Sequence, residues 1–468
     1  MTSKTIVPNK KMATKNAEPG STFIPANINE HLIYSRAIEA VNWGMPVVNY
    51  ELMYQAANKI GAGFNQIVFW SGLPDWKNQT LTPNPDVIYL IPFYNTKDVG
   101  PVVLETPPAD DGAMVGSIMD CWQNALEDVG PAGVDKGKGG KYLIIPPGYK
   151  EKIPDGYIQL PSDTYQGYAL LRSVLNSGSE ADIAKAIAYA KRIKLYPLSQ
   201  AADPQQTKFV DAIKTIFDAT ITYDLRFFQS LDRMVQNDVW LTRDKLMIDM
   251  LRSIGIIKGK SFNPDARTKE ILKAAAKDAQ ALIDSRYGAV FVPPYYDNTH
   301  WAIPIQRELA MAMPTFYADP DSYPVDARGV TYSFAFFSPK HFGAGQSYLM
   351  TIKDNEGKPF DGNNIYKLNV PANAPVKQYW SATVYDRATH AFILDLSRTG
   401  RSSQSQGIQK NEDSSVDIYF GPKAPAGKES NWIPTSADGE FEVLFRLYSP
   451  EKAFADKTWK LPDIEKIN

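Results

Sequence analysis

This chain changes its hydrophobic period twice, and that double switch limits the folds open to it more than any single motif does. From Asn65 to about Leu175 it breaks into short apolar runs punctuated by Pro and Gly, among them PVVLETPP, MVGSIMD, YLIIPPG and YALLRSVL. Runs of that length bounded by turn residues predict strands. From Ser179 to about Ser285 the apolar residues fall into helix-forming segments, with Ser179 and Asp182 spaced as a capping box ahead of Ile183 and Ile187. Segments 206–236, 241–256 and 266–286 continue that pattern. From about Gly329 to Tyr448 strand-like runs return as TYSFAFFS, QYWSATVYD, HAFILDLS, SVDIYFG and FEVLFRLY. The order strand, helix, strand argues against a doubly wound sheet. It predicts an α+β, multidomain chain in which two antiparallel β-sandwich or jelly-roll-like domains flank a helical middle.

A chain of 468 residues is long for one core, which also favours several domains. The expected divisions are a flexible N-terminal arm over 1–28, a helical hairpin over 29–64, a β-rich domain over 65–178, a helical region over 179–290 and an antiparallel sandwich over 291–468. Leu32, Ile33, Ala37, Ile38 and Val41 at helical spacing, then Pro46, then a second amphipathic stretch to Ile60, fit a helical hairpin or a kinked helix. Gly130–Lys141, GPAGVDKGKGGK, predicts a long flexible loop inside the first β region. The 25 Tyr, 21 Phe, 9 Trp and 34 Pro favour strands with irregular connections over a helical bundle.

Several function classes drop out. A net charge of −2 offers no nucleic-acid or anionic-membrane surface. With Cys121 the only cysteine, an intrachain disulfide and a cysteine-built metal site are excluded. GIIKGKS (Gly255–Ser261) resembles a phosphate loop, but Ile254 stands where the first glycine belongs, so it reads as a helix stop. Neither G-x-S-x-G nor H-E-x-x-H occurs, and His31, His300, His341 and His390 are scattered, with Asp297–His300 the one close acid–histidine pair. No metal and no cofactor is therefore expected. No apolar run reaches the ~20 residues of a membrane span. The polar, basic start is not an intact secretion signal; it suits the mature start of an exported protein and equally a cytosolic protein with a loose N-terminal arm.

The densest polar stretch is Gln378–Lys410. WSATVYD reads as a strand with Ser381, Thr383 and Tyr385 on one face, RATH as a turn and AFILDL as the return strand. That places Ser381 and His390 at opposite ends of a hairpin arm, and a serine nucleophile needs its base within about 3 Å. A structural hairpin is the better reading.

The same residues carry a family resemblance. QYWSATVYDRATHAFILD, then RSSQSQGIQKNEDSSVDIYFGPKAPAGKESNWIPT, then FEVLFRLYSPEKAFADKTWKLPDI resemble the bacterial domain-of-unknown-function family 1214, with Ser414 where that family usually has Gly. Upstream, GMPVV, TPNPDVIYLIPFYNTKDVGPVVLETPP, MDCWQNALEDVGP and KYLIIPPGY resemble domain of unknown function 1254, with Val87 following Asp86 where many members carry an aromatic or small residue. The resemblance implies envelope-associated or exported (periplasmic) bacterial proteins that often self-associate as homo-oligomers. It brings no activity with it.

Two function classes follow. In the first, a cleft between the β domains binds a polar small molecule or saccharide through Asn84, Tyr89, Trp122, Asn124, Arg172, Trp380, Tyr385, Arg401, Trp432 and Arg446. In the second, a hydrolase or lyase acting on a saccharide or ester uses Asp86 and Asp120 as acid and base. The plainer roles are turn capping by the Asn and Asp residues, and an ion pair between Asp86 and Arg172.

Overall fold

The computed structural model describes residues 22–335, 339–341 and 345–467. Most of the expected arm over 1–28 lies outside them. The fold is α+β, with two sandwiches on either side of a helical layer and no closed barrel. In the N-terminal sandwich a six-stranded sheet packs on a four-stranded one. Ile88, Leu90, Ile118 and Leu171 of the first meet Val102, Leu104, Tyr142 and Leu195 of the second. In the C-terminal sandwich Leu349, Ala382, Val443 and Phe445 meet Leu368, Ile418, Phe420 and Ile433. Most pairings are antiparallel. A few edges are parallel, such as Gln66–Phe69 with Phe209–Asp211.

Each sandwich has an inner sheet whose second face is also covered, and that explains the sequence pattern. Along Ile88–Asn95, Ile88, Leu90 and Tyr94 enter the sandwich while Tyr89, Ile91 and Phe93 face the helices, so the strand reads as an unbroken apolar run. Along Glu440–Tyr448 the alternation is sharper. Phe441, Val443, Phe445 and Leu447 enter the sandwich, and Glu442, Leu444, Arg446 and Tyr448 alternate with them on the other face, all buried.

Between the inner sheets lie α1 (Ile28–Lys59), α3 (Leu225–Asn237), α5 (Ala266–Ala289) and α7 (Val325–Phe334), with α1 packed on the other three. Of the two expected forms, a hairpin or a kinked helix, the hairpin falls, because α1 runs unbroken through Pro46. Proline removes one helical hydrogen bond and frees the carbonyl four residues back, at Asn42. That segment is buried against α7, where a Cβ on Gly329 would lie 2.8 Å from the Asn42 carbonyl oxygen. Burial of the whole span against three helices outweighs the lost bond.

Other local expectations change too. The start of TYSFAFFS belongs to α7 rather than to a strand, and Phe336–Ser338 fall outside the described residues. The helical stretch over 179–290 also contains short strands, Lys194–Pro197 and Phe209–Asp211. HAFILDLS forms no return strand: His390 and Asp395 adopt φ of 56° and 59°, left-handed values that interrupt extended chain. Trp380–Asp386 pairs instead with Glu440–Tyr448 and Gly400–Ser402. The loop at 130–139 is pinned by Asp135, whose carboxylate accepts from the amides of Gly130 and Gly139. Ser179 caps α2 (Glu180–Ala190) through the Asp182 amide, and Gly255 ends a helical turn at φ 88°.

Candidate functional site

Where the inner sheets face one another across the helices they enclose a chamber of about 100 Å3. The N-terminal sheet supplies Trp70, Tyr89, Ile91, Leu170 and Arg172, and the C-terminal sheet supplies Tyr348, Met350, Leu444 and Arg446. Met53 of α1, Thr331 and Phe334 of α7, the segment 78–84 and residues 303–305 close it. Period-two alternation places these side chains: Tyr89 with Ile91, Leu170 with Arg172, Tyr348 with Met350, and Leu444 with Arg446. A larger space of about 500 Å3 adjoins it, lined by Val115, Met119, Val174 and Tyr379 among others. Leu170, Arg172, Ile303, Ile305 and Tyr348 line both spaces and form the doorway between them.

The segment 78–84 is fastened to the C-terminal sheet by its backbone. Arg446 Nη2 donates to the carbonyls of Thr82 (3.2 Å) and Pro83 (3.1 Å), and its Nη1 donates to Thr383 Oγ1 at 2.8 Å. The Tyr385 hydroxyl donates to the Pro83 carbonyl at 2.6 Å and accepts from Arg446. Asn84 Nδ2 donates to the Tyr448 hydroxyl at 2.8 Å, while the Asn84 amide donates to the Tyr89 hydroxyl at 2.9 Å. These residues therefore carry polar contacts across the two sheets and shape the chamber wall. The guanidinium of Arg172 stands 5.5 Å from the Tyr89 ring, and its Nε is buried without a hydrogen-bond partner.

Of the residues expected from sequence, Asn84, Tyr89, Arg172 and Arg446 line this chamber, and Tyr385 bonds to its wall. Asp86 lies just behind the wall, facing Arg446 and Ser381. Burial raises its carboxyl above the usual range, against the opposing pull of Arg446 and the Ser381 hydroxyl. It makes no ion pair with Arg172. Asp120 sits in a separate network. Its Oδ1 accepts from the amides of Trp122 (2.8 Å) and Asn124 (2.9 Å), and its Oδ2 accepts from Asn124 Nδ2 at 2.8 Å. Burial raises Asp120 too, with the Asn124 hydrogen bonds opposing. Trp122 packs 4.9 Å from Trp43, and its carbonyl accepts from Arg328.

The remaining three candidates belong to the C-terminal sandwich. Trp380 stacks on Phe445 inside it, and Trp432 Nε1 donates to the Gly421 carbonyl at 2.8 Å. Arg401, opposite Ala382, is pushed down to about 10 by burial and by its neighbour Arg398. His300 pairs with Asp463 at 2.8 Å, not with Asp297. Among the described residues no group of three His, Cys, Asp or Glu is placed to hold a metal ion, and no helix is long and apolar enough to cross a membrane.

Trp70, Leu170, Tyr348, Met350 and Ile303 were not foreseen. The alternation in YALLRSVL and FEVLFRLY carried part of the signal: it sets Arg172 among Tyr168, Leu170 and Val174 on one face, and Arg446 on one face with Glu442, Leu444 and Tyr448.

Residues 64–197 match the family described as "Protein of unknown function (DUF1254)", and residues 345–452 match "Protein of unknown function (DUF1214)". No curated protein matches the chain. The crystal structure of the VPA0106 protein from Vibrio parahaemolyticus is similar over 93% of this chain and 100% of its own, at 17% identity and a TM-score of 0.57, so the two share a fold. A putative uncharacterized protein from Burkholderia cenocepacia overlaps 94% of each chain at 9% identity and a TM-score of 0.42.

Proposed function

Because this chain joins an N-terminal DUF1254 region to a C-terminal DUF1214 region, and neither family brings an activity with it, we propose from the site alone that the protein binds a small molecule in the cleft between its two sandwiches. One observation carries the reading. The two inner sheets enclose a chamber in which a buried guanidinium nitrogen lacks a partner, joined by a doorway to a larger space. Well-formed apolar pockets with a few convergent polar groups are the usual form of such sites. The envelope or periplasmic setting and the self-association are supported by the family resemblance.

A carboxylate hydrolase or lyase is favoured less. Asp86 and Asp120 share no hydrogen-bond partner, and Asp120 has both oxygens engaged in holding its own turn. Acid–base work on one bond needs two carboxyls facing one space.

The test is thermal denaturation against a library of polar small molecules, saccharides and organic acids, run on the native chain and on Leu170→Trp, which fills the doorway. A cleft ligand raises the melting temperature of the native chain and not of the variant. A ligand that stabilises both equally binds elsewhere, and a library without any stabilising member removes the proposal.

A further inference from the structure

Charge narrows the ligand, given the cleft-binding reading above on which this step rests. Two arginines line the inner chamber, and no Asp or Glu lines it. Among the described residues neither Arg172 nor Arg446 enters an ion pair, although eight other arginines do. A guanidinium has five donors and cannot shed its charge, so burying one without an anion is heavily penalised.

The two arginines resolve this differently. Arg446 donates to Thr383, to two backbone carbonyls and to Tyr385, and it faces Asp86 behind the wall. Arg172 has an unpartnered Nε, and the groups acting on its charge are Tyr89, Tyr348 and Arg446 itself, with no acid among them. It also stands at the doorway, within reach of both spaces. Around it the walls are mostly apolar, from Trp70, Ile91, Leu170, Ile303, Met350 and Leu444, with Asn78, Thr80, Thr82, Asn84 and Thr331 among the polar exceptions. A carboxylate matches the planar fork of a guanidinium, and an aliphatic or aromatic body matches those walls. A saccharide would set hydroxyls against them and leave Arg172 without its anion.

We infer that the cleft takes an amphipathic organic anion, with its carboxylate on Arg172 at the doorway and its apolar body along the Leu170 and Ile303 walls.

Calorimetric titration of the full chain with octanoate, octanol and maltose tests this. Octanoate is expected to bind at least about tenfold more tightly than octanol, the usual margin of a charge-assisted contact, and maltose to give no heat. Arg172→Gln is expected to lose about that tenfold for octanoate while binding octanol as before, and retained octanol binding shows that the variant is folded. Equal affinity of the native chain for octanoate and octanol overturns the anion, whatever the variant does. Preference for maltose overturns the ligand class but leaves the cleft in place. Absence of all three leaves neither standing.

Discussion

Two arginines of one interior, Arg328 fully buried and Arg172 half-buried, have opposite surroundings. Arg328, on α7, donates to Asn124 Oδ1 at 3.2 Å, to the Trp122 carbonyl and to the Tyr317 hydroxyl, and it lies 4.7 Å from the Tyr317 ring and 5.3 Å from that of Tyr332. The Asp120 carboxyl is part of the same cluster. Arg172 stands 5.5 Å from the Tyr89 ring, with Tyr89 and Tyr348 the tyrosines acting on its charge and Tyr89 also hydrogen-bonded to it, and its buried Nε donates to nothing. Arg172 is less buried than Arg328 as a whole, but its Nε is shut off from solvent, so the difference is informative. A cluster that satisfies its cation internally is a brace between α7 and the N-terminal sheet. One that leaves a guanidinium nitrogen without a partner beside a cavity is the contrast on which the proposed anion site rests.

If that contrast is right, the largest effect belongs to the closed cluster. Arg328→Met leaves the Trp122 carbonyl and Asn124 without their donor and is expected to cost about 3–5 kcal/mol, read as a lower urea midpoint. Gly329→Ala, one residue on, tests by crowding the neighbouring seam between α7 and α1. The added Cβ would stand 2.2 Å from Asn42 Oδ1 and 2.8 Å from its carbonyl oxygen, so a loss of about 1–3 kcal/mol is expected. Arg172→Met removes an unsatisfied charge and is expected to change stability by less than about 1 kcal/mol. Should it unfold the protein as Arg328→Met does, the open arginine is structural after all and the contrast collapses.

How much of this was readable beforehand depends on which physical signal a residue carries. Strands covered on one face or both wrote their period into the sequence, so the two sandwiches and the helical layer were legible, as was the Ser179 cap. Pro46 misled because a local rule met a tertiary override: the penalty of one lost bond is small beside the burial of α1 against α3, α5 and α7. HAFILDLS misled because backbone sign at His390 and Asp395 cannot be read from apolar content. For the site, Asn84, Tyr89, Arg172 and Arg446 stood out as polar groups in apolar runs, and they meet. Asp120, Trp122 and Asn124 looked alike in sequence but are joined to Arg328, which lies 204 residues from Asn124 in the chain. Ile303 and Tyr348 carried no sign of their own, since a doorway exists only once distant segments are brought together.

The smallest effect sharpens the contrast most. Asp86 lies just behind the chamber wall beside Arg446, and burial keeps its proton on to higher pH than in an unfolded chain, with Arg446 and Ser381 pulling the other way. The folded state then binds more protons than the unfolded state as pH climbs above 3.8, the ordinary aspartate value, so the native chain loses stability across that window. Asp86→Asn removes the titration. Its urea midpoint is expected to match the native chain near pH 3.8 and to exceed it at pH 7, by a margin that grows with pH between them. A variant that is instead weaker at pH 7 would mean that the Arg446 charge stabilises the Asp86 carboxylate more than burial penalises it. In that case the Arg446 side of the chamber already contains a working ion pair, and only Arg172 is left to want an anion.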